Sequence, residues 1–215
     1  MNLLVTDFDG TFYDNNYKKN IELIKKYNNF DFVIATGRNF PSLKKDLKIK
    51  CKYYICNDGG YILNKDYSII YRNYINKDTV EKIYSRLKEL KYNDYFLDNI
   101  NTFSKNIIDD VNKISIRINN NAKEDINYLL NGLDDVYAYI STNWINIISI
   151  DSTKEKAIEY ISKLNNYKKI YTIGNDINDY DMLKIYNGYF ITNDSNNKFN
   201  TLNNFLELEN IIKND

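Results

Sequence analysis

Asp7 and Asp9 stand two apart where the apolar run LLVTD meets Gly10 and Thr11. In a strand, positions i and i+2 project to the same face, so an extended chain here sets two carboxylates in one small volume. Like charges that close raise each other's pKa unless a cation or a proton lies between them. Such a pair is either solvated in a loop or held for chemistry.

Other apolar runs also end in polar residues. FDFVIATG delivers Thr36 and Gly37, followed by Arg38. KIYTIG delivers Gly174, Asn175 and Asp176, with Asn178 and Asp179 at the start of the next helix. Just ahead of that run, STKEKA opens a helix in which Ser152 and Glu155 spell a capping box and put Lys154 in the first turn. A cation there opposes the helix dipole by about 0.3–1 kcal/mol, which is easier to understand if an anion sits at that helix start. Singly, these stretches read equally well as turns or caps. Arg38 could reach a substrate or merely flank a helix.

The chain has no histidine among its 215 residues. That excludes Ser-His-Asp triads, Cys-His pairs and His-ligated zinc, and leaves acid–base work to Asp, Glu, Lys, Tyr or Cys. Neither Cys51 nor Cys56 is followed six residues later by arginine, so a tyrosine-phosphatase-like loop is absent, and Cys56 reads as an inert buried thiol. Two cysteines are too few for a disulfide framework and fit a reducing, cytoplasmic setting. Lys+Arg and Asp+Glu both number 29, which removes the electrostatic footprint expected of a nucleic-acid or membrane-surface binder. No apolar run approaches the roughly 20 residues needed to span a bilayer, and charge arrives too early for a secretory signal. The excess of Tyr, Asn, Lys and Ile follows AT-rich codons, so neither the 21 tyrosines nor the asparagine run at 119–121 carries functional weight.

The elements that would position these residues alternate from the start. LLVTD reads as a buried strand, Tyr17 to Asn28 as a helix with Ile21, Ile24 and Lys25 around its face, and FDFVIATG as a second strand. A short helix from Pro41 to Leu47 leads to YYIC, then to two short strands, YIL and SIIYR. Strands apolar on both faces and separated by helices predict an α/β fold, a Rossmann-like parallel sheet with helices on both faces.

Between residues 74 and 150 the rhythm changes. A helix over 77–91 carries Val80, Ile83, Leu87 and Leu90 on one stripe, and KISIRI alternates with period two. A second helix over 123–131 precedes VYAYIS and WINIISI, giving helix–strand–strand–helix–strand–strand. This segment is expected as a small α+β cap domain inserted into a core formed by 1–73 and 151–215. Trp144, Tyr137 and Tyr139 are expected mainly as cap core, with one or two lining a pocket. From Ser152 the α/β rhythm returns. Ligands of open parallel sheets bind beyond the carboxyl ends of the strands, where the polar stretches collect.

Taken together, DFDGT (7–11), ATGR (35–38), Lys154 in KEKAI and GNDINDYDML (174–183) resemble the motifs of the haloacid dehalogenase-like hydrolases. Within them they resemble the Cof-like phosphatases, whose cap is inserted between the second and third motifs. CNDGG at 56–60 is similar to the loop after that family's third strand. The resemblance implies an Mg²⁺-dependent phosphatase acting on a small phosphorylated metabolite, a sugar phosphate or a phosphorylated cofactor. Asp7 would be the nucleophile and form an aspartyl-phosphate, Asp9 the acid and then base, and Thr36 and Lys154 would hold the phosphoryl oxygens. Thr11, Gly37, Arg38 and Asn178 are expected at the substrate, and Asp7, Asp9, Asn175 and Asp179 at the metal. A carboxylate nucleophile needs a cation to hold it beside a phosphoryl group, since two anions otherwise repel.

The family's fourth motif usually reads Gly-Asp-x-x-Asn-Asp, and here Asn175 replaces the first aspartate, so Asp176 or Asp179 could compensate. Alternatives are a phosphotransferase or mutase using the same aspartate, or a non-enzymatic regulatory protein. The expected partner is a small phosphorylated molecule, with no nucleic acid and no membrane, and the chain is expected as a monomer or weak homodimer.

Overall fold

A computed structural model describes residues 1–27, 29–118, 121–194 and 198–213. The first segment runs β1 (Asn2–Asp7), α1 (Tyr17–Lys26), β2 (Phe30–Ala35), α2 (Phe40–Asp46), β3 (Tyr53–Cys56), β4 (Tyr61–Asn64) and β5 (Ile69–Arg72). The middle runs α3 (Lys77–Glu89), β6 (Tyr95–Asp98), β7 (Phe103–Ser104), β8 (Lys113–Arg117), α4 (Ala122–Leu130), β9 (Val136–Ser141) and β10 (Trp144–Ser149). The last runs α5 (Lys154–Leu164), β11 (Ile170–Gly174), α6 (Tyr180–Ile185), β12 (Tyr189–Ile191), β13 (Asn200–Leu202) and α7 (Glu209–Ile212).

Eight strands form one sheet in the order β13-β12-β11-β1-β2-β3-β4-β5. It is parallel from β13 to β3, and β4 and β5 close it as an antiparallel edge. The alternation within β1 explains the two layers of helix. Leu4 packs toward Ile21 and Ile24 of α1 and toward Ile212 of α7, whereas Leu3 and Val5 pack toward Ala157, Ile158 and Ile161 of α5. Burying a strand on both faces leaves polar groups room only at its ends, which is where the chemistry-bearing residues lie. The parallel α/β sheet is as expected from the sequence.

The second sheet is antiparallel, in the order β7-β6-β8-β10-β9. Ile114, Ile116, Ile145 and Ile147 on one face meet Val80, Ile83 and Leu87 of α3 and Leu129 of α4. The two-residue β7, paired with β6, adds a third strand between the helices, too short to leave a period in the sequence.

Helix ends differ locally from expectation. Helix α1 ends at Lys26 with Lys25 exposed, and Asn28 lies outside the described residues, as do 119 and 120 of the asparagine run. At α5 the cap is Thr153, whose hydroxyl accepts from Lys156 N (3.3 Å) and donates to Glu155, so Lys154 is the first helical residue. Ser152, the expected cap, is fully buried one residue outside the helix, and its hydroxyl has no partner. Among the described residues no helix is long and apolar enough to cross a membrane.

Gly59 fixes how α5 meets the loop after β3. Its φ is +106°, and a Cβ there would lie 2.3 Å from Thr153 O. Gly132 is the contrast, with φ +70° and no atom within 4 Å of a Cβ. Gly132→Ala should therefore cost only the left-handed strain, about 1–2 kcal/mol. Gly59→Ala must also displace the start of α5 and should cost at least about twice that. Urea unfolding of the two variants checks this; equal losses would show that the close approach at Gly59 is easily relaxed.

Candidate functional site

The site forms where β1, β2 and β11 end side by side. Asp7 is the last residue of β1 and is buried, while Asp9 lies beyond the strand in a turn. The two carboxylates are thus not stacked on one strand face as the spacing suggested. Gly10 turns the chain at φ +75° and packs against Asn175, whose Nδ2 would lie 2.5 Å from a Cβ at that position. Next to it Thr11 Oγ1 donates to Asn175 Oδ1 at 2.9 Å, tying the first motif to the fourth.

Lys154 is the centre of this end of the sheet. Its side chain is 1% exposed, and Nζ donates to Asp7 Oδ1 (2.6 Å) and Asp179 Oδ1 (2.7 Å). Burial favours neutral lysine, but the Asp179 and Asp7 carboxylates outweigh it and push the Lys154 pKa up. Burial is also the largest influence on Asp7; with Asp179 and Asp9 adding repulsion it exceeds the pull of Lys154, and the carboxyl rises to about 7. Two carboxylates share one ammonium, so the cluster is deficient in positive charge.

Asp179, expected at the metal, has another task. Its Oδ1 holds Lys154, and its Oδ2 accepts the main-chain N–H groups of Asn175 (2.9 Å) and Asp176 (3.1 Å). Gly174 makes this possible, because a Cβ there would sit 2.4 Å from Asp179 Cγ. Asp7, Asp9, Asn175 and Asp176 line the same cavity and bring carboxylate, amide and main-chain oxygens to it. An all-oxygen set suits a hard cation such as Mg²⁺. Among the described residues no group of three or more His, Cys, Asp or Glu is gathered as a cage, so such an ion would depend on amide and carbonyl oxygens.

Thr36 is buried at the end of β2, and its Oγ1 accepts from Arg38 N at 3.1 Å. Arg38 is already committed. Its guanidinium grips both oxygens of Asp9 (Nε to Oδ2, 2.8 Å), reaches Asp46 Oδ2 at 2.6 Å and lies over the Phe8 ring at 5.3 Å. Asn178 lines the same cavity as Asp7 and donates to Asp58 Oδ1 at 2.8 Å.

Asp58 is the residue that sequence reasoning missed. It lies in CNDGG in a left-handed conformation (φ 58°, ψ 23°) and is 1% exposed. Its Oδ2 accepts from Lys113 Nζ (2.7 Å) and Tyr139 OH (2.7 Å), both from the antiparallel sheet. Lys113 also donates to Gly37 O at 3.2 Å, and a Cβ on Gly37 would come within 3.1 Å of its Nζ. Burial works against the Asp58 charge, but Lys113 and Lys154 outweigh it and hold the carboxyl down at about 2. The only available signal was CNDGG itself; nothing in KISIRI marks its lysine as reaching another sheet. Ser141 Oγ donates to Asp176, and Asn39 Nδ2 donates to Asp98 Oδ1 at 3.1 Å, so the two sheets meet through polar contacts.

Between the sheets lies a cavity of about 670 Å³. Asp7, Asp9 and Thr36 line it from one side, and Phe96, Ser115 and Trp144 from the other. Tyr139 also faces it, so two of the three aromatics singled out in the sequence reach the cavity. Cys56 is buried away from it, and burial pushes its thiol pKa up.

A family model described as haloacid dehalogenase-like hydrolase matches residues 4–107 and 85–210. Among solved structures, a protein of Eubacterium rectale superposes with a TM-score of 0.77 at 17% identity, covering 100% of this chain and 98% of its own. A phosphatase of that superfamily from Bacteroides thetaiotaomicron gives 0.74 at 17% identity, covering 88% and 84%. A sugar phosphatase of its subclass IIB gives 0.72 at 18% identity, covering 88% and 87%. No curated protein matches the chain in sequence.

The Asp58–Lys113 pair should reveal itself in unfolding. Removing one partner strands a buried charge, so Lys113→Met should cost about 3–5 kcal/mol, whereas Asp58→Asn with Lys113→Met should recover much of that loss. Because the folded carboxyl lies below its ordinary 3.8, its contribution is present at neutral pH and is lost as pH falls from about 4 toward about 2. Urea titrations at neutral and acid pH check both; an additive double variant would mean the pair is uncoupled.

Proposed function

The chain belongs to the haloacid dehalogenase-like hydrolase family, and on that premise we propose that it is an Mg²⁺-dependent phosphatase of small phosphorylated metabolites. The observation that carries this reading is Asp7, buried at a strand end, held by the buried Lys154 and opening onto a cavity shared with Asp9 and Thr36. In this reading the α+β unit, residues 74–150, is the cap that selects substrate over a core of 1–73 and 151–215. The reaction takes place in the cytoplasm.

An Asp7 carboxylate oxygen attacks the phosphorus, and the bond from phosphorus to the ester oxygen breaks as Asp9 gives that oxygen its proton. Asp9 then takes a proton from water, whose oxygen attacks the aspartyl-phosphate; the bond to Asp7 breaks and phosphate leaves. Lys154 works against the burial that raises the Asp7 pKa and aims the carboxyl, while Asp179 fixes Lys154. Thr36 Oγ donates to a phosphoryl oxygen. Arg38 holds Asp9 as the carboxylate through both oxygens and has to free one of them for Asp9 to carry the proton. Asn178 supports the substrate wall through Asp58. Asp7, the Asp9 carbonyl and Asn175 Oδ1 would hold Mg²⁺, with Asp176 beside them. When bound, the ion supplies the positive charge that lets two anions approach.

Asp7→Asn should lower turnover of a generic aryl phosphate by roughly 10³-fold or more in a protein that still folds and unfolds cooperatively. Asp9→Asn should slow alkyl phosphates by about 10²–10⁴-fold and aryl phosphates less, because a good leaving group needs little protonation. Steady-state kinetics on both substrate classes test the assignment, and Asp7→Asn turnover within tenfold of the unaltered protein would remove Asp7 from the nucleophile's role. Product analysis with an added sugar separates hydrolysis from transfer to a second hydroxyl.

Asn175 brings an amide where a carboxylate would add charge. A carboxylate about 4 Å from a unit cation is worth on the order of 4 kcal/mol at an effective dielectric near 20, less the desolvation of the added charge. Asn175→Asp should therefore tighten Mg²⁺ binding about tenfold in a calorimetric titration. Unchanged or weaker binding would mean that Asp176 already supplies the charge.

A further inference from the structure

The antiparallel sheet turns a wall of defined chemistry toward the cavity, and its register shows which residues share it. Phe96 pairs with Ser115, Ser115 with Asn146, and Asn146 with Tyr139, a row across four strands. The neighbouring positions Tyr95, Leu97, Ile114, Ile116, Ile145 and Ile147 point the other way into the helical core. All four members of the row line the cavity, as does Trp144 at the strand end.

This wall is aromatic at its rim and polar at its centre. Phe96 meets Phe103 edge-on (centroids 5.4 Å) and Trp144 at a tilt (6.0 Å). Phe103 stays 60% exposed at the tip of β7, although it lines the cavity. At the centre, Ser115 Oγ donates to Asn146 Oδ1 at 3.2 Å, while Asn146 Nδ2 has only a 3.5 Å contact with Trp144 O. An aromatic rim around an amide with donor capacity to spare suits a flat ligand carrying acceptors on its edge.

Charge narrows the class further. The two cations on the cavity wall are already neutralised, Arg38 by Asp9 and Asp46 and Lys113 by Asp58. Asp98 and Asp176 add negative charge to the same wall. A second phosphate or a carboxylate on the ligand would meet no free cation there and would be desolvated at a cost. A volume of about 670 Å³ accommodates a ring system and one phosphoryl group together.

Resting on the phosphatase reading above, we propose that the substrate is a monophosphate ester of an uncharged planar ring. The ring stacks among Phe96, Phe103 and Trp144, and its polar edge is read by Asn146 and Ser115. Phosphorylated heteroaromatic compounds belong to this class; hexose phosphates, whose rings are puckered and rich in hydroxyls, do not.

Trp144 is the only tryptophan in the chain, so its emission reports the wall without any need for turnover. The first measurement titrates the Asp7→Asn protein, with Mg²⁺ present, with pyridoxine 5′-phosphate, FMN and glucose 6-phosphate. Saturable quenching by a ring ester, weakened about three- to tenfold by Phe103→Ala, and none by the hexose ester is expected. The second measurement is kcat/KM of the unaltered protein on the same esters, where a ring ester should lead glucose 6-phosphate by about tenfold or more. Phe103→Ala and Trp144→Leu should each shrink that lead, and Trp144→Phe should restore part of it, which guards against a folding defect. No saturable binding of either ring ester, or equal or better hydrolysis of the hexose ester, overturns the inference and leaves the phosphatase reading standing. Tight ring-ester binding with no hydrolysis of any ester overturns the phosphatase reading and leaves the wall's assignment standing.

Discussion

A lysine ammonium enclosed at 1% exposure cannot stand alone, because removing that charge from water costs several kcal/mol unless partners replace the lost hydration. Lys154 has those partners in Asp7 and Asp179, and much of the local architecture serves the three-way contact. β11 must end in glycine so that Asp179 can fold back over it. The turn after it must present two N–H groups to the remaining oxygen of Asp179. α5 begins at Lys154 itself, with Gly59 packed against the preceding Thr153. The surplus of negative charge that results is what burial and repulsion express in the raised pKa of Asp7.

A chain without histidine has no imidazole to offer near neutrality, and its carboxyl groups have ordinary pKa values well below it. Position then has to do what intrinsic acidity does not. Asp9 is gripped on both oxygens by Arg38, which is itself tethered to Asp46 and laid over Phe8. Arg38 lies in the short link between β2 and α2, and Asp46 on α2 holds it from the helix side.

What could be read from the sequence was what depends on near neighbours. The buried strands, the alternation of Ile114 and Ile116 and the motifs at strand ends are patterns within a few residues, and the structure follows them. Asp58 escaped because its meaning is set by Lys113 and Tyr139, 55 and 81 positions away on another sheet. The true cap of α5 escaped because Ser152 and Thr153 are adjacent hydroxyl residues, and only burial decides which one faces the helix. Asp179 was assigned to the metal by its motif; its actual bonds depend on Gly174 leaving space, a property of packing.

The antiparallel sheet has one face that holds it together and another that looks onto the cavity, and along each strand the two alternate residue by residue. Substitutions at positions such as 96, 115 or 146 therefore leave the packing of α3 and α4 against the other face untouched. Lys113, Tyr139, Ser141 and Asp98 are the exceptions on the open face, since their side chains bond the sheet to the core. Over evolutionary time such a wall can be rewritten one residue at a time, with chemical preference drifting while the fold stays above its stability threshold. The same separation makes it a tractable surface for redesign: the wall can be varied as a library, provided Lys113 and the other residues that bond the two sheets are kept.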